Sequence, residues 1–101
     1  MLAVSDQAVI VNIPLRGGGG EFDLVGDLGD RLHEHLKRSA VGEFDGNLIG
    51  DDLGVLYLYG PDADRLWQEI EPLVRDATLP DGAYVLKRAG PPGDAEIRID
   101  L

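Results

Sequence analysis

The spacing of apolar side chains along the chain predicts strands and helices in alternation. Residues 8–15 are apolar at both odd and even positions, which is typical of a strand in the middle of a sheet. Pro14 has no N–H to donate, so we expect strand pairing to fail or end there. A stripe with a spacing of four follows and predicts an amphipathic helix of roughly four turns, with Ala40 flanking it: Leu24, Leu28, Leu32 and Leu36.

The centre of the chain predicts two strands joined by a turn. Residues 41–59 contain two β-prone runs, with turn-forming residues at Gly50, Asp51 and Asp52 between them. Strict alternation in the first run places Phe44, Gly46 and Leu48 on one face and Glu43, Asp45 and Asn47 on the other. In the second run the tyrosines take one face and the leucines the opposite one.

A second helix and two further strands complete the predicted elements. Asp62 is a natural N-cap for a helix that reaches Ala77, and Pro72 inside this pattern predicts a kink or a break. Trp67 falls on the apolar side of the helix and is expected to pack in the core. Residues 84–88 and 95–101 predict strands, and the alternation in the last one predicts one buried side: Ala95, Ile97, Ile99 and Leu101.

The order strand, helix, strand, strand, helix, strand, with one extra C-terminal strand, predicts an α+β fold. It is the order of a ferredoxin-like β-α-β-β-α-β sandwich, in which two helices cover one face of an antiparallel sheet. A chain of 101 residues suffices for a single domain spanning residues 1–101 and not for two. The opposite face of the sheet is left uncovered, and a sheet face that exposes large side chains normally binds another molecule.

The charge balance excludes several classes of partner. Nineteen acidic side chains against nine basic ones give a formal charge of −10, which argues against binding nucleic acids and anionic membranes. No cysteine is present, so disulfides, thiolate nucleophiles and cysteine zinc sites are excluded. With no apolar run long enough to span a bilayer and no signal-peptide pattern, we expect a cytoplasmic protein.

The uncovered sheet face is therefore the candidate interaction site. Tyrosine is favoured at protein interfaces, and no Lys or Arg occurs between Ser39 and Asp64, so this acidic stretch would steer a basic protein. The leading hypothesis is a non-enzymatic interaction or regulatory domain that binds a protein partner or a second copy of itself and needs no cofactor. Its predicted interaction residues are Glu43, Asp45, Asn47, Tyr57, Tyr59 and Tyr84.

Other motifs favour simpler explanations. The glycines at 17–20 lack the Lys-Ser/Thr ending of a phosphate loop, so they indicate a flexible connection. His33 and His35 point about 200° apart on a helix and cannot chelate one metal together. The Asp45-Gly46-Asn47 segment lacks the remaining ligands of a calcium loop, because residues 53–59 contain no carboxylate.

Two alternative functions remain open. One is a small-molecule or ion-binding domain whose ligand lies between the sheet and the glycine loop. The other is an enzyme that uses Glu43 and Asp45, or a histidine, in acid–base chemistry. Hydroxyl nucleophiles are scarce, since the chain has only Ser5, Ser39 and Thr78, so enzymatic activity is the less favoured reading.

Three segments, residues 41–47, 56–64 and 82–88, resemble a group of small uncharacterised bacterial proteins. In addition, a helix followed by Gly-Glu-Phe-Asp-Gly at residues 42–46 is similar to a segment of the bacterial protein inhibitors of ribonuclease E, which are also small and acidic. Those inhibitors carry a tryptophan where this chain has Asn47, and they have long acidic tails that this chain lacks. The second resemblance implies an inhibitor function exerted through protein contact.

Overall fold

The computed structural model describes residues 7–16, 20–90 and 93–101. Five strands form one antiparallel sheet in the order β2-β3-β1-β4-β5. Elements follow the chain order β-α-β-β-α-β-β, which confirms the predicted α+β, ferredoxin-like arrangement. Their bounds are β1 (Gln7–Pro14), α1 (Glu21–Leu36), β2 (Glu43–Ile49), β3 (Leu53–Gly60), α2 (Ala63–Asp76), β4 (Tyr84–Arg88) and β5 (Glu96–Asp100).

Both helices pack on the same face of the sheet, and the core lies between them and the strands. Alternate residues of β1 and β3 point into this layer, as period-two geometry requires. Trp67 of α2 is 7% exposed within the same cluster, as its position in the sequence predicts. The core contribution of the strands comes from Val9, Val11, Ile13, Leu56, Leu58 and Val85.

The first helix has the position and the length of roughly four turns that the predicted stripe indicates. It begins at Glu21 and ends at Leu36, before Ala40. The backbone N–H groups of Arg38 and Ser39 donate to the carbonyls three residues earlier, which tightens the last turn and redirects the chain toward β2. Gly20 precedes the helix without a side-chain cap. The predicted flexible connection at residues 17–19 lies outside the described residues.

The second helix contains no break. Asp62 caps it, because its side chain accepts hydrogen bonds from the backbone N–H groups of Asp64 and Arg65 at 3.0 and 3.3 Å. The predicted break at Pro72 is wrong, since the helix continues to Asp76, and the alternative of a kink stays a prediction. Pro72 and Gln68 both lie on the exposed side of α2, so water can satisfy the Gln68 carbonyl that receives no hydrogen bond from residue 72.

The last strand lies at the edge of the sheet and is less buried than its alternation predicts. Ile99 is half-buried against the core, but Ile97 is 60% exposed and Leu101 is 37% exposed. The reason is lateral position: α2 packs over β1, β3 and β4, and β5 lies one strand beyond. No helix in the described part of the chain has the length and apolar character needed to cross a bilayer.

Candidate binding surface

The side of the sheet opposite the helices, called the open face below, presents a mainly apolar block. Its centre is a row of directly paired residues, Tyr57 on β3, Ile10 on β1 and Leu86 on β4. The rows on either side are Tyr59, Ala8 and Arg88, and Val55, Asn12 and Tyr84. Seven of these nine side chains are apolar or aromatic, so the block offers more apolar surface than a fully solvated sheet face needs.

The side chains of this block shield one another and range from half-buried to fully buried. Ile10, Tyr57 and Leu86 are half-buried, while Ala8 between Tyr59 and Arg88 is fully covered. Arg88 is 8% exposed and donates from Nε to the carbonyl of Gly90 at 2.8 Å. The side chains of the block are therefore packed against their cross-strand neighbours, and side chains packed in this way lose less conformational entropy when a partner binds.

A β-bulge in β2 decides which of its residues reach the open face. Glu43 is opposite Tyr59, but the register shifts between Phe44 and Gly46, and Leu48 is then opposite Val55. Asp45 is the extra residue of the bulge, and Gly46 takes a φ of 123°, a conformation that glycine adopts readily.

Because of the bulge, the sheet face predicted for the residues after Asp45 is wrong. Strict alternation places Asn47 beside Glu43 and puts Leu48 with Phe44. In the structure Asn47 is opposite Leu56, whose side chain points toward the helices, and Leu48 lies on the open face with 59% exposure. One inserted residue reverses the facing of every residue after it, because side chains alternate with period two.

The predicted interaction residues therefore separate into three groups. Tyr57, Tyr59 and Glu43 lie together on the open face, and Asp45 adjoins them at the bulge. Tyr84 is on the same face but two strands away from the other tyrosines. Asn47 belongs to the opposite face.

Sequence reasoning did not single out four residues that contribute to the open face. Ile10 and Leu86 occupy its central row, and the apolar character of β1 at both parities is the signal that could have indicated Ile10. Leu48 can be assigned to the open face only when the position of the bulge is known. Arg98 required knowledge of the neighbouring strand: its guanidinium carbon lies 3.9 Å from the centre of the Tyr84 ring, and its Nε donates to Asp100 at 2.8 Å.

A cavity of about 400 Å³ opens at the corner of the sheet where β2 begins and β3 ends. We call it the corner cavity. It brings together the two carboxylates of the β2 segment and one tyrosine from the open face. Its lining residues are Ala40, Gly42, Glu43, Asp45, Tyr59, Gly60 and Pro61.

Two glycines allow the backbone just before β2 and the backbone at the end of β3 to approach each other closely beside the corner cavity. A Cβ atom added to Gly60 would stand 2.3 Å from the carbonyl oxygen of Val41, and one added to Gly42 would stand 2.5 Å from that of Tyr59. Both distances are shorter than any normal contact between carbon and oxygen. The corner therefore depends on the absence of side chains at both positions.

The charges around the corner cavity are uncompensated within the described chain. Glu43 and Asp45 make no ion pair or hydrogen bond with a described residue. By contrast, Asp64 on α2 pairs with Lys87 at 2.5 Å. A cation entering the corner cavity would meet two carboxylates and an aromatic ring, which together recognise ammonium and guanidinium groups.

The histidines do not form a joint site. His35 Nε2 lies 2.6 Å from Glu69 Oε2 and links α1 to α2, whereas the His33 ring meets Phe44 edge-on at 6.2 Å between centroids. His33 and Glu43 border a second cavity of about 250 Å³, but no hydrogen bond joins them. Within residues 7–16, 20–90 and 93–101, no group of three or more histidine or carboxylate side chains is arranged to hold a metal ion.

Comparisons with protein-family models, curated proteins and solved structures found no match to this chain. The resemblances to small bacterial proteins and to the ribonuclease E inhibitors therefore gain no support from a relative and stay predictions. Function has to be argued from the surface itself.

Proposed function

We propose that this chain is a non-enzymatic interaction domain that binds a protein partner through the open face. The observation that carries the proposal is the mainly apolar block centred on Tyr57, Ile10 and Leu86, which neither helix covers. Interfaces of this kind combine an apolar, aromatic centre with a polar rim. We place the proposed binding in the cytoplasm, on the composition alone.

The charges of the rim indicate the chemistry of the partner. Glu43 and Asp45 border the block on the β2 side and form no ion pair with a described residue, and the chain carries a formal charge of −10. A partner with an apolar patch flanked by Lys or Arg would complement this surface, and its basic side chain would enter the corner cavity. Such an association would be faster and tighter at low ionic strength.

Site-specific photo-crosslinking tests this proposal. A photoreactive amino acid at position 57 is expected to capture a basic protein from an extract of the source cells, while the same group at Gln68, on the exposed side of α2, should not. The affinity of the captured protein for the unmodified chain is then measured. Tyr57→Ala is expected to weaken binding by at least about tenfold, since aromatic residues at interface centres are frequent hot spots.

Two further variants separate the roles of shape and charge. Glu43→Lys should lower the association rate and reduce its salt dependence, whereas Gln68→Ala should change neither. Equal capture from positions 57 and 68, or a captured protein whose affinity does not depend on Tyr57, would contradict the proposal.

The corner cavity supports a second candidate function, the binding of a small cationic molecule. Its volume of about 400 Å³ lies within the range of ligand pockets, and its two carboxylates would balance an amine. Thermal-shift measurements with arginine, lysine and linear polyamines test this function, because a ligand that binds only the folded state raises the melting temperature. The shift should disappear in Glu43→Gln/Asp45→Asn. A cavity that binds none of these amines excludes this candidate and leaves the protein-binding proposal untouched.

A further inference from the structure

The outer edge of β5 is the least protected backbone edge in the described sheet. At the other edge, β2 is interrupted by the bulge at Asp45 and Gly46, and such bulges discourage pairing with further strands. β5 pairs with β4 without a shift from Glu96 to Asp100, and it contains no proline, lysine or bulge. No described strand pairs with its outer edge, and this edge is regular, although three of its five residues are charged.

The hydrogen bonds of β5 determine which backbone groups face outward. The N–H of Leu101 donates to the carbonyl of Ala83 at 3.1 Å, so the backbone groups of Leu101 point toward β4. Antiparallel strands alternate in this respect, so those of Ile97 and Ile99 also point toward β4. The N–H and C=O groups of Glu96, Arg98 and Asp100 therefore point away from the sheet.

The side chains of β5 are arranged to complement a second copy of the same strand. Arg98 and Asp100 alternate in charge on the open face, and Ile97, Ile99 and Leu101 follow one another on the helix side. Ile97 and Leu101 are 60% and 37% exposed, so two large apolar side chains stand in solvent at this edge.

We propose that two copies of this chain pair through antiparallel β5 strands, with the two-fold axis at Ile99, and form one continuous ten-stranded sheet. In this register Arg98 lies opposite Asp100 of the second copy, and Ile97 lies opposite Leu101 of the second copy. The outward backbone groups of Arg98 and Asp100 form the hydrogen-bonded pairs, as the orientation of β5 requires. The guanidinium has donors beyond the Nε that bonds to Asp100 of its own chain, so it can bind both carboxylates.

The registers with the axis at Arg98 or at Ile97 are less complementary. An axis at Arg98 would place Arg98 opposite itself and Glu96 opposite Asp100, and like charges directly opposite each other are unfavourable. An axis at Ile97 would place Asp94 opposite Asp100 and leave Leu101 without an apolar partner. Of these three axes, only the one at Ile99 avoids like charges directly opposite each other and gives both Ile97 and Leu101 an apolar partner.

Sedimentation analysis of the full chain tests the pairing. We expect a concentration-dependent dimer, and we expect Ile97→Lys to raise its dissociation constant at least tenfold by placing a cation opposite Leu101 of the second copy. Leu48→Lys is the matched control, because Leu48 is 59% exposed on the other edge strand. At concentrations too low for dimerisation, the melting curves of both variants should stay close to that of the unmodified chain, which shows that the fold is intact.

Charge reversal and cross-linking test the register. Arg98→Asp should weaken the dimer, and the double variant Arg98→Asp/Asp100→Arg should restore it. Because the chain has no cysteine, Ile99→Cys should form an interchain disulfide across the axis, where opposite Cα atoms come within disulfide reach. Ile97→Cys should cross-link far less.

Three results would overturn the proposal. The first is a chain that stays monomeric at every accessible concentration. The second is a dimer that Leu48→Lys weakens as much as Ile97→Lys, since it would then form through the open face or the β2 edge. The third is a disulfide that forms more readily from Ile97→Cys than from Ile99→Cys, which excludes the axis at Ile99.

Discussion

Replacement of Gly60 by alanine is the sharpest test of how the corner of the sheet is built. The added methyl group would stand 2.3 Å from the Val41 carbonyl oxygen and 3.2 Å from the Gly42 Cα. Both obstacles are backbone atoms, so no side chain can rotate away to make room. The start of β2 would have to move away from the end of β3, which disturbs the pairing that closes the corner cavity.

The size of the effect follows from two opposing contributions. Forcing an extra carbon into a closely packed site costs typically about 1–3 kcal/mol. Alanine also lowers the conformational entropy of the unfolded chain relative to glycine, and this effect raises the free energy of unfolding by about 0.4–1 kcal/mol. The net loss is therefore about 1–2 kcal/mol, which corresponds to a fall in melting temperature of roughly 5–15 °C for a domain of this size.

Gly26→Ala provides the matched control of opposite sign. Gly26 lies inside α1, and a Cβ atom there would meet nothing within 4 Å. Alanine should stabilise the helix by about 1 kcal/mol. Thermal and urea unfolding followed by circular dichroism measures both variants. The reasoning fails if Gly60→Ala melts at or above the temperature of the unmodified chain while Gly26→Ala shows its expected gain.

Three further substitutions test individual elements by the same unfolding measurements. Pro72→Ala should stabilise the protein by about 1–3 kcal/mol, because it restores a hydrogen bond to the Gln68 carbonyl in the middle of α2; a loss would show that the proline ring is needed for packing. Asp62→Ala should cost about 1 kcal/mol through loss of the helix cap, whereas Asp51→Ala in an exposed turn should change stability little. Gly46→Ala should cost about 1–2 kcal/mol, because its φ of 123° is strained for any residue with a Cβ, and an unchanged stability would mean that the bulge is not held in this conformation.

The binding surface was predictable only where strands follow strict alternation. β3 alternates without interruption, so the tyrosines at 57 and 59 separate from the leucines at 56 and 58 in the sequence as they do in the structure. In β2 the bulge inserts one residue, and the facing of Asn47 and Leu48 is the reverse of the prediction. Gly46 inside the β-prone run is a sequence signal for a bulge, but the position of the register shift depends on the partner strand.

The sequence by itself determined the order of the elements, their antiparallel layering and the acidic charge, because local periodicity and composition set all three. Tertiary structure decided which surfaces are available. Lateral position in the sheet exposes Ile97 although its alternation is typical of a half-buried strand, and the meeting of β2 with β3 creates the corner cavity. These features arise from distances between residues that are far apart in the chain, and local patterns carry no information about such distances.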